Sequence, residues 1–398
     1  MSVGDTLFII VAVIVLVPIA VVAVETLAAL PRRRSSQSPH VPTAARAVVL
    51  IPAHNEAAGI GATVRALLPE LSPQDRVVVI ADNCSDGTAA AARAAGADVV
   101  VRNDAQRHGK GYALEFGVRC LEANPPDVVI VFDADCRFSR GSCRRLKEEA
   151  IRFRAPVQAR YVLAEADGDP RRQLSAFAFL FKNFVRPLGL HRLRLPCLLT
   201  GTGMAFPWRM IRDASLGTGD IVEDMKLSVE LAMNGHPPRF CPDPCVEGAA
   251  APHKEAVLEQ RTRWEHGHVR TLLTQGPRLV WSALRDGRPR LLALALELSV
   301  PPLSLLVLIW ACALAGALTW WRLGGALEPA GLLLAGGALL ILTLAAAWAR
   351  FARGLLPLRS LLLMPVYVFW KLPIYVRLLR QPQRTWVRTE RAAAAEPG

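Results

Sequence analysis

The stretch from Thr6 to Leu30 is apolar almost throughout, interrupted by Pro18 and, near its end, by Glu25. A run of this length is enough to cross a bilayer, which commits it to a helix. A cleaved leader carries positive charge ahead of its apolar stretch and small residues at its end. Here Asp5 precedes the stretch, and Arg32, Arg33 and Arg34 follow it. The run therefore reads as a retained anchor, and the excess of arginine behind it places the following domain in the cytoplasm. Over 398 residues, a hydrophobic content of 52% is high for a soluble chain, and the mean hydropathy is +0.28. The expectation is an integral protein of the inner or plasma membrane.

The formal net charge is +13. The arginines cluster beside apolar runs, not in an aromatic-interleaved stripe, so membrane lipids are the expected partner and nucleic acid is not. Eight cysteines, Cys84, Cys120, Cys136, Cys143, Cys197, Cys241, Cys245 and Cys312, are scattered along a chain too long to need a disulfide framework. They read as reduced thiols. Cys241 and Cys245, with His236 and His253 near them, lack a standard zinc spacing and are read as ordinary residues.

Four short runs rich in Val and Ile, Ala47–Ile51, Arg76–Ala81, Ala97–Val101 and Asp127–Phe132, alternate with alanine-rich helical stretches. Strands buried on both faces look like this, and helices between them imply parallel crossovers. The fold class expected is α/β, a doubly wound and mostly parallel sheet, with transmembrane helices at both ends. The boundaries drawn are an anchor at 1–31, a linker at 32–46, a cytoplasmic α/β domain at 47–270 and an interfacial connector at 271–290. Two transmembrane helices follow at 291–350, within Leu291–Trp320 and Pro329–Trp348. Segment 351–398 is an interfacial or third membrane helix with a basic tail. Arg359, Lys371 and Arg377 in its apolar part, and a tail that should stay inside, favour two spans plus an interfacial segment.

Ligands of such sheets bind beyond the carboxyl ends of the strands. Beyond the first run come Pro52, His54, Asn55 and Glu56; beyond the second, Asp82, Asn83, Ser85 and Asp86. Singly these are turn formers; side by side at neighbouring strand ends they can bind a base and ribose. Asp133 and Asp135 follow the fourth run, where a carboxylate pair can hold Mg2+ or Mn2+ against a diphosphate. Glu223 and Asp224 open a helical stretch, where acids also suit the helix dipole. Gln260, Arg263 and Trp264 fall on one helix face; the arginine can clamp a diphosphate and the ring can face an acceptor. Arginine and tryptophan beside a membrane also serve as interfacial anchors. Lys110 lies between two glycines and suits a loop near donor phosphate, or plain solvent. His266 and His268 read as phosphate contacts or surface residues.

Taken in order, Pro52-Ala53-His54-Asn55-Glu56, Asp82, Gly109-Lys110-Gly111, Asp133-Ala134-Asp135, Gly201-Thr202-Gly203, Glu223-Asp224 and Gln260-Arg261-Thr262-Arg263-Trp264 resemble the inverting family 2 glycosyltransferases of GT-A fold. The likeness is to their membrane-integrated members, the cellulose, chitin and hyaluronan synthases and the ceramide glucosyltransferases. It covers roughly Val48 to Val269. The resemblance implies donor contacts at Pro52, Asn55, Glu56, Asp82, Lys110, Asp133 and Arg263, with Asp82 on uracil. It implies metal ligation by Asp135 and Asp133, catalysis by Asp224 with Glu223 beside it, and acceptor contacts at Gly201, Thr202, Gly203, Gln260 and Trp264.

The expected activity is transfer of a sugar from a UDP-sugar to a membrane-proximal acceptor in extracellular or capsular polysaccharide synthesis. The alternative is a single addition to a lipid. So few spans leave little protein for a polymer channel, which favours the lipid or requires an export partner or homo-oligomer. A Phe-X-Val-Thr-X-Lys gating motif is absent from the sequence. A non-catalytic scaffold would show broken motifs, and here they are intact.

Overall fold

The computed structural model describes residues 2–31, 44–163, 169–220, 222–248 and 254–380. The linker arginines Arg32–Arg34, His253 and the basic tail beyond residue 380 lie outside them. Two compact units share the chain: residues 44–163 with 196–271 form one, and residues 2–31, 169–195 and 272–380 form the other. Residues 169–195 fall within the 47–270 domain drawn from the sequence, yet by their contacts they group with the apolar helices.

The first unit is built on an eight-stranded sheet. Its strands are β1 (Ala47–Ala53), β2 (Arg76–Asp82), β3 (Asp98–Arg102), β4 (Val128–Val131), β5 (Cys136–Phe138), β6 (Val157–Leu163), β7 (Met204–Pro207) and β8 (Arg239–Gly248), in the order β3-β2-β1-β4-β7-β6-β8-β5. The four strands read from the sequence are all present and mutually parallel. Beyond β4 the sheet is mixed: β7 runs antiparallel to both β4 and β6, β8 parallel to β6, and β5 antiparallel to β8.

The apolar runs lack alternation because both faces are covered. Val49, Ile51, Val77, Val79, Val128 and Ile130 meet Ile60, Val64 and Leu67 of helix Ile60–Leu67 and Leu146 and Ala150 of helix Ser142–Phe153. Their neighbours Val48, Leu50, Val78, Ile80, Val129 and Val131 face the other way, against helices Lys110–Leu121 and Glu223–Met233. The period of two thus distributes one strand between two apolar layers.

Among the described residues of the second unit three helices are long and apolar enough to cross a membrane: Val3–Ala29, Leu303–Arg322 and Glu328–Phe351. The apolar stretch from Leu291 is not one helix. It begins as Pro289–Ser299 and breaks at Val300-Pro301-Pro302, because proline at 301 and 302 removes two donors and disfavours helix before it. The stretch 355–379 is cut by its prolines into Leu358–Leu361, Met364–Trp370 and Leu372–Arg380, each too short to span.

Glu25, the one acid inside the first apolar run, is buried and ion-paired to buried Arg186 of helix Arg186–Arg192 at 2.5 Å. Arg186 also donates to the Glu297 carbonyl at 3.1 Å. Gly189 lies directly on the Glu25 backbone, where any Cβ would collide with the carbonyl. A buried charge that loses its partner costs about 3–5 kcal/mol, whereas an apolar pair of similar volume is often tolerated. Glu25→Ala should therefore lower the detergent-solubilised protein's stability by about that amount, and Glu25→Leu with Arg186→Met should recover most of it, as read by thermal unfolding.

Candidate active site

The strand ends β1, β2 and β4 carry the site. After β1 and β2 the chain turns sharply, with Asn55 at φ 54 and Asn83 at φ 51, left-handed conformations that asparagine tolerates. The two turns brace each other. Asn55 Oδ1 accepts from Ser85 N at 2.8 Å, and its Nδ2 donates to Ser85 Oγ at 3.1 Å. Glu56 N donates to Thr88 Oγ1 at 2.7 Å. Pro52 is the last residue but one of β1, half-buried and opposite Ile80. Asp82, at the tip of β2, is buried and paired through Oδ1 to Arg102 at 2.6 Å. Asn55 and Asp82 thus form a braced platform.

Lys110 and Asp133 centre the second cluster. Lys110 Nζ donates to Asp133 Oδ1 at 2.5 Å and to the Gly201 carbonyl at 2.7 Å. Both flanking glycines are required: Gly109 has φ 130, and a Cβ on Gly111 would stand 2.5 Å from Leu216 O. Because β4 and β7 are antiparallel neighbours, with Val131 opposite Met204, the residues just after β4 meet those just before β7. Asp133 N accordingly donates to Thr202 Oγ1 at 3.1 Å.

Gly201 and Gly203 adopt φ 86 and 63. A Cβ on Gly201 would lie 3.4 Å from Asp224 Oδ2 and 3.6 Å from Lys110 Nζ, so this glycine sits against both. Thr202 is 0% exposed and its hydroxyl is engaged by Asp133, so its side chain is buried under the loop and not open to solvent. Gln158 of β6, also buried, shapes the same loop: Oε1 accepts from Thr200 N at 2.9 Å, and Nε2 donates to Thr202 O at 3.0 Å. Neither Gln158 nor Arg102 was found from sequence. Each acts through strand pairing, Arg102 lying opposite Asp82 in the β2–β3 register, and a single chain carries no signal for that.

Asp224 stands in the first turn of helix Glu223–Met233, where Ser228 Oγ donates to its carbonyl and accepts from Leu199 N. Gln260, Arg263 and Trp264 lie in helix Lys254–Arg285, all half-buried. Four residues beyond Arg263, Gly267 packs on Val222, a Cβ there standing 2.7 Å from its side chain, and so this helix is seated beside the Glu223–Asp224 turn. His266 and His268 are buried, not surface residues.

Asp133, Asp135 and Cys136 bring potential ligand atoms within 4.8 Å of one another, the one such group among the described residues. The two carboxylates fit a hard cation of the Mg2+ or Mn2+ kind. Burial, then the charges of Asp135 and Asp133, push the Cys136 thiol far up, so it stays protonated and donates to Asp135 Oδ1 at 3.7 Å. Cys241 and Cys245 are buried in β8; burial raises Cys241 to about 12, and no metal-binding group includes either among the described residues.

The family model described as "Glycosyltransferase like family 2" matches residues 45–267, more than half of the chain. The chain belongs to glycosyltransferase family 2. It is an enzyme of the sugar-transferring class, and its fold is GT-A-like. None of the curated proteins matches this family member in sequence. Among solved structures it is similar to the mannosyltransferase PcManGT from Pyrobaculum calidifontis, in complex with GDP-Man and Mn2+, at 20% identity and a TM-score of 0.54, over 93% of this chain and 100% of that one. Glucosyl-3-phosphoglycerate synthase from Mycobacterium tuberculosis, in complex with Mn2+, UDP and phosphoglyceric acid, matches at 20% identity and a TM-score of 0.36, over 56% of this chain and 77% of that one. At 20% identity the likeness to the mannosyltransferase is one of fold.

Within this family 2 site, burial raises Glu223 to about 7; Lys110 pulls it down, while Asp224 and Asp133 push it further up. For Lys110, burial works against the charge, but Asp133, then Glu223 and Asp224, outweigh it and raise the pKa. Glu223 folds preferentially protonated. Its contribution to stability is full below the unfolded carboxyl value near 4.5 and is lost as pH rises through about 7. In metal-free and donor-free protein, Glu223→Gln should unfold close to the wild type at pH 4.5 and at a higher temperature by pH 8, a gap that thermal scans across this range will measure.

Proposed function

We propose that this enzyme transfers a sugar, with inversion, from a UDP-sugar to a hydroxyl acceptor at the cytoplasmic face of the membrane. The observation that supports this reading best is the convergence of Lys110, Asp133, Gly201 and Asp224 at the ends of a buried parallel sheet. Each brings a different property to one spot: a cation, a ligand for a cation, an open backbone and a base.

The donor lies with its nucleoside over the Asn55–Asp82 platform and its diphosphate near Asp133, Lys110 and Arg263. A divalent ion held by Asp135 and Asp133 would neutralise charge on the departing diphosphate. Lys110, kept charged by its acidic surroundings, is placed beside the same group and exchanges a carboxylate partner for a phosphate at little electrostatic cost. Asp224 takes the acceptor hydroxyl proton as that oxygen bonds to the anomeric carbon and the bond from that carbon to the diphosphate oxygen breaks. One displacement inverts the centre. Protonated Glu223 spares the pair a second buried negative charge.

The acceptor is either a growing polysaccharide or a lipid. Three candidate spans among the described residues leave little protein for a channel of its own. That favours a single addition to a membrane lipid, and a polymer product would require an export partner or a homo-oligomer. GDP-Man in the similar mannosyltransferase makes a GDP-sugar the donor to test against UDP-sugars. A non-catalytic scaffold is disfavoured by the intact cluster.

The test is nucleotide release by the purified full chain across UDP- and GDP-sugars with Mn2+ and membrane lipids, followed by product mass. Asp224→Asn should lose on the order of 10²–10⁴-fold in turnover while still binding donor. Asp133→Asn with Asp135→Asn should abolish metal-supported donor binding; donor binding that survives this pair would remove the assigned site.

A further inference from the structure

Asp82 presents only one of its two carboxylate oxygens to a ligand. Oδ1 accepts from Arg102 Nη1 at 2.6 Å and from Asn83 Nδ2 at 3.1 Å. Among the described residues Oδ2 accepts nothing. The carboxylate is held in this orientation because Arg102 is itself fixed: its Nη2 donates to Asp104 Oδ2 at 2.9 Å and to the Arg107 carbonyl at 2.9 Å. Asp104 in turn takes its backbone N–H to Asn83 Oδ1 at 2.7 Å, and Asn83 N donates to the Arg102 carbonyl at 2.7 Å. Four residues around β2 and β3, Arg102, Asn83, Asp104 and Arg107, hold one carboxylate in one orientation, and both Asp82 and Arg102 are buried.

This geometry bears on which base the site accepts. Guanine offers two adjacent N–H donors on one edge, which match a carboxylate that receives them with both oxygens. Uracil offers a single imide N–H between two carbonyls. We infer that Arg102 is a positioning residue that fixes nucleobase choice, by occupying Asp82 Oδ1 and leaving Oδ2 as a lone acceptor that suits the uracil imide and disfavours guanine. The inference rests on the proposed seat of the nucleoside at the Asn55–Asp82 platform, and it makes UDP-sugars, not GDP-sugars, the donor class. A site whose buried polar groups are matched by one ligand and left unmatched by another discriminates strongly between them.

Direct binding of UDP, GDP and CDP in the presence of Mn2+, by calorimetry on the full chain in detergent, tests it without any variant. The wild type should bind UDP at least tenfold more tightly than GDP, the order expected for one charged hydrogen bond. CDP, whose base has no imide N–H, should also bind weakly. Arg102→Met should bring the UDP to GDP ratio to within about threefold, and Arg102→Lys should keep part of the preference. A purely structural role for Arg102 would weaken both nucleotides alike and leave the ratio unchanged, which overturns the inference, as does a wild type that prefers GDP. In both of those cases binding that still needs Asp133 and Asp135 leaves the proposed transferase site standing. If no nucleoside diphosphate binds, or binding ignores Asp133 and Asp135, both the inference and the proposed site fall. Should Arg102→Met fail to fold, the wild-type ratio and Arg102→Lys decide.

Discussion

The ammonium of Lys110 ties together the parts on which this site depends. It bridges Asp133, at the end of a parallel strand, and the Gly201 carbonyl, at the start of an antiparallel one. Phe132 and Ala134 anchor the backbone on either side of Asp133 in the core, but the carboxylate itself still has to be fixed in space. A charge-assisted pair, reinforced by Thr202 on the Asp133 N–H, can do so. The glycines follow from it: Gly109 bends the chain so that the lysine enters, Gly111 admits the Leu216 carbonyl, and Gly201 leaves room for Asp224.

That arrangement concentrates charge. Lys110, Asp133, Glu223 and Asp224 influence one another strongly enough that Glu223 is raised to about 7 and the lysine is held charged. A cluster of this kind costs folding energy that the rest of the fold must offset, and perturbed groups of this sort gather at functional sites. The platform at β1 and β2 is built on another principle. Hydrogen bonds between Asn55 and Ser85, and among Asn83, Asp82, Asp104 and Arg102, hold it in place, so it presents a fixed face. Rigidity there and tuned charge at Lys110 suit the two tasks of holding a nucleoside and moving a sugar.

The apolar unit shows a parallel use of a buried pair. Glu25 would be a defect in a membrane span if it stood alone. Arg186 and the close approach of Gly189 make it the point at which the first helix is keyed to the segment 169–195. Ion pairs of this type specify position more than they add stability.

Much of this could be read from the chain itself. Runs of Val and Ile in β1 to β4 can only be strands covered on both faces, and the length of Thr6–Leu30 can only suit a long helix, because periodicity and length are local properties. Asp82, Asp133 and Glu223–Asp224 were legible as candidates for the same reason, each standing directly beyond an apolar run or at a helix start. What the sequence left open depended on register and strand direction. The antiparallel placing of β7 beside β4 brings Thr202 to Asp133 and buries its side chain there. The pairing of β2 with β3 gives Asp82 its partner Arg102, and β6 supplies Gln158 from more than forty residues before the loop it shapes. Hydrogen bonds across a sheet join residues remote in the chain, and the side chains themselves carry no record of which strand will lie alongside. Composition and spacing determined the class of fold and the chemical types at the site; only the packed sheet decided which oxygen of Asp82 is free and which groups Lys110 holds together.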